Sequence, residues 1–339
     1  MKNKIIWSLG LFLFFCLAIT LTIFYCIHLW NTPQNISVPD ATTKIVHITP
    51  GQSLKEVAYL LYSQKIIKHP QIFILGARLN RKAQKIQAGQ FKLNPSWSLA
   101  DILDHLTRGS EVLYPLRIPE GLTWWQVGRL VEKMGFCSLE EFAKSIKERA
   151  FLEHMSIYAP SAEGFLFPET YFLSRSKNYS GQEIAGMFIQ EFWQKTTNLW
   201  ADLPFKQIYQ KLTLASLIEK ETGRPEERRR IAGVFLNRLK KRMLLQCDPT
   251  VIYGLGQQFN GNLTRKHLLD KQNPYNTYTH KGLPPGPICS PGLASIKAAL
   301  NPEKHNYLYF VAKGDGTHYF SSTLREHNKA VYKYQIKRR

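Results

Sequence analysis

Residues 5–27 carry no charged side chain and are dominated by Leu, Ile and Phe. At about 1.5 Å per residue, such a run crosses the roughly 30 Å hydrocarbon core of a bilayer as one helix. Trp7, Tyr25 and Trp30 fall near its ends, where amphipathic rings prefer the interface. A cleaved signal would have a shorter apolar region followed by a small-x-small site, and Asn31-Thr32-Pro33-Gln34 is not such a site. The pattern predicts an uncleaved, single-pass transmembrane helix over residues 5–30, behind a short cytoplasmic tail of residues 1–4. Lys2 and Lys4 put that tail inside and everything after Trp30 outside. Residues 31–44, polar and holding Pro33 and Pro39, read as a linker that reaches about 40 Å when extended.

Order resumes with Ile45-Val46-His47-Ile48, a strand pattern, then the turn Pro50-Gly51. Ser53 is placed to cap a helix carrying Leu54, Val57, Ala58, Leu60 and Leu61. The same design returns 70 positions later, where Ile48, Gly51, Ser53, Val57 and Leu60 find counterparts in Ile118, Gly121, Thr123, Val127 and Leu130. Each unit has a later strand-like piece, Gln90-Phe91-Lys92-Leu93 and Thr170-Tyr171-Phe172-Leu173. The first continues into a helix capped by Ser98. An internal repeat of a small α/β unit explains the spacing, although any strand-turn-helix shares some of it. Compact glycan-binding modules pair helices and a small sheet in this way.

From about Ile208 the pattern turns helical. Leu214, Leu217 and Ile218 fall at i, i+3 and i+4, and the next position on that face is Glu221. A carboxylate where a leucine belongs is costly to bury charged, so its pKa should rise, as a general acid near neutral pH requires. Glu219 lies about 160° around the helix from Glu221, nearer the polar face. The competing reading makes Glu221 a helix-end carboxylate paired with an arginine, since structural ion pairs also perturb pKa values. A second helix follows, with Pro225 in its first turn, Glu226 and Glu227 at its positive end, and Lys240, Lys241 and Arg242 at its negative end. Beyond it come polar and rigid loops, then a hairpin turning through Gly314-Asp315-Gly316, then residues 333–339, a basic and solvated tail.

Composition narrows the partners. Lys and Arg number 45 against 25 Asp and Glu, a net charge of +20, which suits a polyanionic surrounding. The external placement argues against nucleic acid. The cysteines Cys16 and Cys26 lie in the apolar run, and Cys137, Cys247 and Cys289 show neither CxxC nor zinc spacing, so no disulfide framework, metal or cofactor is expected.

Among the loops, Tyr275-Asn276-Thr277-Tyr278 mixes ring faces with hydrogen-bonding groups, which sugars need, though buried loop aromatics look the same. The run 282–287, rich in proline and glycine, either walls a groove or crosses the surface. Asp248, before Pro249, should be extended, either capping the next turn or serving as a second carboxylate. His280, His318 and His327 have no visible Ser or Cys partner and read as structural or surface residues.

Several of these stretches, taken in order, resemble one family. They are Pro119-Glu120-Gly121, Glu163-Gly164-Phe165-Leu166-Phe167-Pro168-Glu169-Thr170-Tyr171, Ala215-Ser216-Leu217-Ile218-Glu219-Lys220-Glu221, Glu227-Arg228 and Val234-Phe235-Leu236-Asn237-Arg238-Leu239. They continue with Gln246, Asp248-Pro249-Thr250-Val251-Ile252-Tyr253-Gly254, Tyr275-Asn276-Thr277-Tyr278 and Gly282-Leu283-Pro284-Pro285-Gly286-Pro287-Ile288. This order resembles the YceG-like endolytic murein transglycosylases, with Cys247 standing where a threonine is expected. The resemblance implies an α+β chain: the anchor, a LysM-like α/β module over residues 45–110, and a catalytic domain over residues 111–335. Within the latter it implies a second LysM-like unit near 116–175 and a helical, lytic-transglycosylase-like core from about 205. It implies a bacterial inner-membrane protein whose periplasmic domain cuts nascent peptidoglycan between N-acetylmuramic acid and N-acetylglucosamine, leaving 1,6-anhydro ends. Glu221, followed by Thr222, matches the family's catalytic pattern, and Glu219 does not. The substrate-binding residues implied are Asn237, Gln246, Asp248, Thr250, Tyr253, Tyr275, Asn276, Thr277 and Tyr278, with peptidoglycan strands and penicillin-binding protein synthases as partners. Two rivals stay open: a hydrolase using Asp248 or Glu219 as second carboxylate, and a glycan-binding adaptor without catalysis.

Overall fold

The computed structural model describes residues 2–34, 43–201 and 203–337. The chain forms two compact units, Met1–Tyr114 with Phe172–Asn178, and Pro115–Tyr171 with Tyr179–Arg339.

The first unit opens with helix α1 (Lys2–Asn31), whose stretch Leu9–Asn31 is long and apolar enough to cross a membrane. After it come β1 (Lys44–Ile48), α2 (Leu54–Ser63), α3 (Pro70–Leu79), β2 (Gly89–Leu93) and α4 (Leu99–Arg108). β1 and β2 are antiparallel, with Val46 opposite Phe91 and Lys44 opposite Leu93. Strand alternation turns Val46, Ile48, Phe91 and Leu93 to one face. There they close a core with Val57 and Leu61 of α2, Phe73 and Ala77 of α3, and Ile102 and Leu106 of α4. The linker expected over 31–44 is already structured at its start. Asn31 ends α1, Pro33 bridges to Ser98, and Gln34 is buried, its side-chain amide donating to Leu29 O and its Oε1 accepting from Lys68 N–H. Residues 35–42 of that linker lie outside the described residues.

β3 (Leu113–Arg117) pairs with β4 (Thr170–Ser174), and the unit boundary runs through both strands. Residues Phe172–Asn178 thus belong to the first unit, where Ser174 and Ser176 both donate to Glu111.

The second unit is mostly helical: α5 (Trp124–Lys133), α6 (Leu139–Ser145), α7 (Arg149–His154), α8 (Gly181–Trp200), α9 (Phe205–Glu221) and α10 (Pro225–Lys240). It continues with α11 (Asp248–Leu255), α12 (Arg265–Leu269), α13 (Leu293–Leu300), the antiparallel hairpin β5 (Tyr309–Ala312) and β6 (His318–Ser321), and α14 (Leu324–Val331). α9 is the central helix, packed by α10 and α13. The mixed α+β class matches the expectation. The described part of the tail is mostly exposed, as expected, and a π-turn, Tyr332–Ile336, continues α14 through it.

The 70-residue periodicity has a local structural counterpart. Ser53 with Glu56 and Thr123 with Gln126 form capping boxes on α2 and α5. At the far ends, Gln64, Lys65 and Ile66 donate to Leu60, Tyr62 and Leu61, while Met134, Gly135 and Phe136 donate to Leu130, Glu132 and Val131, each bond displaced by 70 positions. The chain leaves both helices through a left-handed residue, Lys65 at φ 56° and Gly135 at φ 78°.

Candidate active site

Glu221 is the last residue of α9, and Leu214, Leu217 and Ile218 on its face are buried. Thr222 is extended and ends the helix. Glu221 opens onto a cavity of about 530 Å³, within the usual size of a small-ligand site. Arg238, Gln246, Asp248, Tyr278 and His318 share its lining, with Phe235, Leu245, Phe310, Val311 and Val331 as the apolar wall.

Desolvation pushes the Glu221 carboxyl up from its ordinary value, and the Asp248 charge adds to this. The Cys247 thiol, 2.9 Å from Oε1, donates to the carboxylate and pulls the pKa back, as do His318 and Arg238. Cys247 is thus the direct neighbour of this carboxyl. Arg238 does not neutralise it by ion pairing. Its Nε donates to Leu308 O at 2.6 Å and its Nη1 to Leu245 O at 2.8 Å, so the guanidinium ties the hairpin to the loop before α11.

The arginine-paired carboxylate of this helix is Glu219. Its Oε1 lies 3.8 Å from Arg228 Nη2, and its Oε2 accepts the Gly292 N–H at 3.0 Å. Arg228 also lies 3.9 Å from Glu120. The Glu219 side chain is only 7% exposed, so the polar face on which the spacing puts it is covered and not open to water. The N-terminal end of α13, capped by Gly292, covers that side of α9.

Of the residues expected to bind substrate, Gln246, Asp248 and Tyr278 line the cavity. Asp248 is not extended as expected but opens α11. The proline behind it occupies the first turn, where a missing N–H costs nothing, and the carboxylate meets the positive end of the helix. Tyr278 Oη donates to Asp248 Oδ1. The other six expected residues do not line the cavity. Thr277 Oγ1 accepts the Cys247 N–H at 3.0 Å and bonds Thr250 Oγ1 at 2.9 Å, both threonines being buried. Asn276 is buried and donates to the carbonyls of His267, Leu268 and Asp270. Asn237 donates to the carbonyls of His305 and Tyr307. Tyr253 lies between the rings of Trp125 and Tyr275, tilted to both, and bonds to Glu163. These six fix the loops that carry the cavity residues. The 282–287 run lies elsewhere too: Leu283, Pro284 and Pro285 line a separate cleft with Lys206 and Tyr209, and Ser216 Oγ on α9 accepts the Ile288 N–H.

Sequence reasoning missed several lining groups. His318 donates its backbone N–H to Glu227 Oε1 at 2.8 Å, and its Nδ1 lies 2.7 Å from Oε2. The carboxylate at Nδ1 fixes the orientation of the ring, which lines the cavity. His327 and Gln335 also line it, the latter from the segment expected to be a solvated tail. Glu227 and His318 are 91 positions apart, so no local spacing announced the pair. Glu163 is buried and its pKa is raised to about 7 by desolvation, against the hydrogen bonds of the Trp124 and Gly164 amides and Tyr253. Among the described residues, no three His, Cys, Asp or Glu side chains come together as metal ligands. Cys247 and Cys289 are both buried free thiols.

The model of the YceG-like family matches residues 46–333. An endolytic murein transglycosylase of Bacillus subtilis strain 168 is 33% identical over 310 residues, covering 86% of this chain and 85% of that protein. One of Streptococcus pneumoniae D39 is 30% identical over 329 residues, and the match spans 59% of that longer protein. The crystal structure of a yceG-like protein from Listeria monocytogenes superposes with a TM-score of 0.57 at 34% identity, covering 85% of this chain and 99% of that one. A match over nearly the whole chain, to a family model and to proteins of one name, is decisive: this chain belongs to the YceG-like family.

Proposed function

We propose that this protein is an endolytic murein transglycosylase, a lyase that cuts peptidoglycan strands internally, with Glu221 as its single acid and base. The observation that carries the assignment is a desolvated carboxyl at the end of α9, raised in pKa, facing a cavity and without an arginine partner among the described residues. The relatives named for this activity supply the substrate class. In the first step the protonated carboxyl gives its proton to the glycosidic oxygen as the C1–O4 bond of the muramic acid breaks. In the second, the C6 oxygen of the same sugar closes on C1 and its proton passes to the Glu221 carboxylate. The acid is regenerated, no water is consumed, and the product carries a 1,6-anhydro end. Inverting and retaining glycosidases instead need two carboxyl groups in set roles. Glu219 is held by Arg228 and the Gly292 amide, which argues against it as the second. Asp248 shares the cavity, and its bond from Tyr278 favours a binding role.

The setting follows from the rest of the chain. α1 anchors the protein in the bacterial inner membrane with its N-terminus in the cytoplasm, and the chain beyond α1 lies in the periplasm. The first unit acts as a LysM-like glycan-binding module. Strands newly made by penicillin-binding protein synthases are the substrate, and their cleavage ends polymerisation. Digestion of purified glycan with mass analysis of the new ends tests the reaction: an anhydro end is one water lighter than the reducing end that a hydrolase leaves. Reducing ends alone would establish the hydrolase, and no cleavage by well-folded protein would establish the adaptor.

A further inference from the structure

The junction between α1 and the first unit is packed, not loose. α1 lies against α3 and α4. The Trp30 indole sits so close to Gly76 of α3 that no Cβ fits there. Pro33 and Gln34 continue the contact through Ser98, Leu29 and Lys68. Cys26, a full turn before Trp30, is already partly covered by protein. Counted from Ile5, where the uncharged run begins, the roughly 20 residues that a hydrocarbon core needs end near Phe24, so the turn from Cys26 to Trp30 stands at headgroup depth. Whatever covers that turn stands there as well.

The helix pressed on it has the surface such a depth calls for. On either side of Gly76, Leu75 is 50% exposed and Leu79 is 75% exposed. Arg78, Arg81 and Lys85 are exposed beside them, whereas Lys82 is paired with Asp104. Exposed leucines ringed by cations are the composition of a segment lying in a bilayer interface, where apolar burial and attraction to anionic lipid add. We infer that α3 seats the first unit on the bilayer crossed by α1, with Leu75 and Leu79 among the upper acyl chains and Arg78, Arg81 and Lys85 on anionic phospholipid headgroups. The inference rests on α1 being a membrane anchor.

Photo-crosslinking of the full-length chain in nanodiscs of anionic phospholipid tests it. A benzophenone side chain replaces Leu79 in one variant and Phe14 in another, and mass analysis reports lipid adducts. Adducts from both positions are expected. The adduct from position 79 should fall severalfold when Arg78→Ser, Arg81→Ser and Lys85→Ser are combined, or when the lipid is zwitterionic. Lipid adducts from position 14 with none from position 79 would overturn the seating while leaving the anchor intact. Release of the chain by alkaline washing, with no adduct from position 14, would overturn the anchor and the seating with it. A position-79 adduct indifferent to charge would overturn the role of the cations.

Discussion

At the scale of single residues, the proton on Glu221 is set by one burial and a few neighbours. Desolvation raises its pKa, so the acid form persists toward neutral pH, and cleavage should decline as pH rises through the shifted value. Cys247 opposes the shift by donating to Oε1. Cys247→Ala removes that donor, and the descending limb of kcat/KM against pH should move up, since the carboxylate form loses a hydrogen bond. Cys247→Ser, with a stronger donor, should move it down. A limb that ignores both changes would separate the thiol from the acid. Glu163 makes a prediction about stability instead. Its pKa in the fold is about 7 against an ordinary 4.5, so the folded state binds the proton more tightly. Its stabilising contribution is full below the unfolded value and is lost as pH rises toward and through about 7, on the order of 3 kcal/mol at most. Thermal unfolding of Glu163→Gln should therefore fall less between acidic and mildly basic pH than that of the parent protein.

Among the elements, α9 carries two carboxylates with opposite duties. Glu221 ends the helix over a cavity, while Glu219, two residues earlier, joins α9 to Arg228 of α10 and to the start of α13. Glu219→Gln leaves Arg228 short of a counter-charge in a buried place, so a loss of about 1–3 kcal/mol is expected with cleavage changed only a few-fold. Chemical denaturation beside an activity assay measures both. This division was half legible in the chain. The apolar spacing of Leu214, Leu217 and Ile218 marked Glu221 correctly as facing inward, because a helix face is a local property. The same spacing placed Glu219 nearer the polar face but could not show that this face is covered, because it knows nothing of a helix more than seventy residues later. The caps at Ser53, Ser98 and Thr123 and the hairpin through Gly314 and Gly316 were likewise local and readable. Arg238, His318 and Gln335 were not, since their place in the cavity depends on how α10, the hairpin and the last turn meet. Asn276 and Thr277 carried the right chemistry for sugar but engage backbone groups and the Thr250 hydroxyl inside the protein, a distinction only the fold can make.

For the whole molecule, a net charge of +20, with one membrane-length helix among the described residues, fits work against anionic surfaces. Retention on isolated peptidoglycan should weaken as salt is raised, since attraction between exposed charges is screened beyond about 10 Å at 0.1 M salt. Retention independent of salt would mean that the charge serves something else. On the proposed mechanism the reaction depends far less on net charge than on one side chain. The most direct measurement compares cleavage of purified glycan by full-length Glu221→Gln and Glu219→Gln proteins, both checked for folding by thermal melting. Glu221→Gln should melt as the parent does and yield no new anhydro ends, while Glu219→Gln still yields them. A folded Glu221→Gln protein that cleaves at the parental rate, beside an inert but folded Glu219→Gln, would contradict the assignment outright.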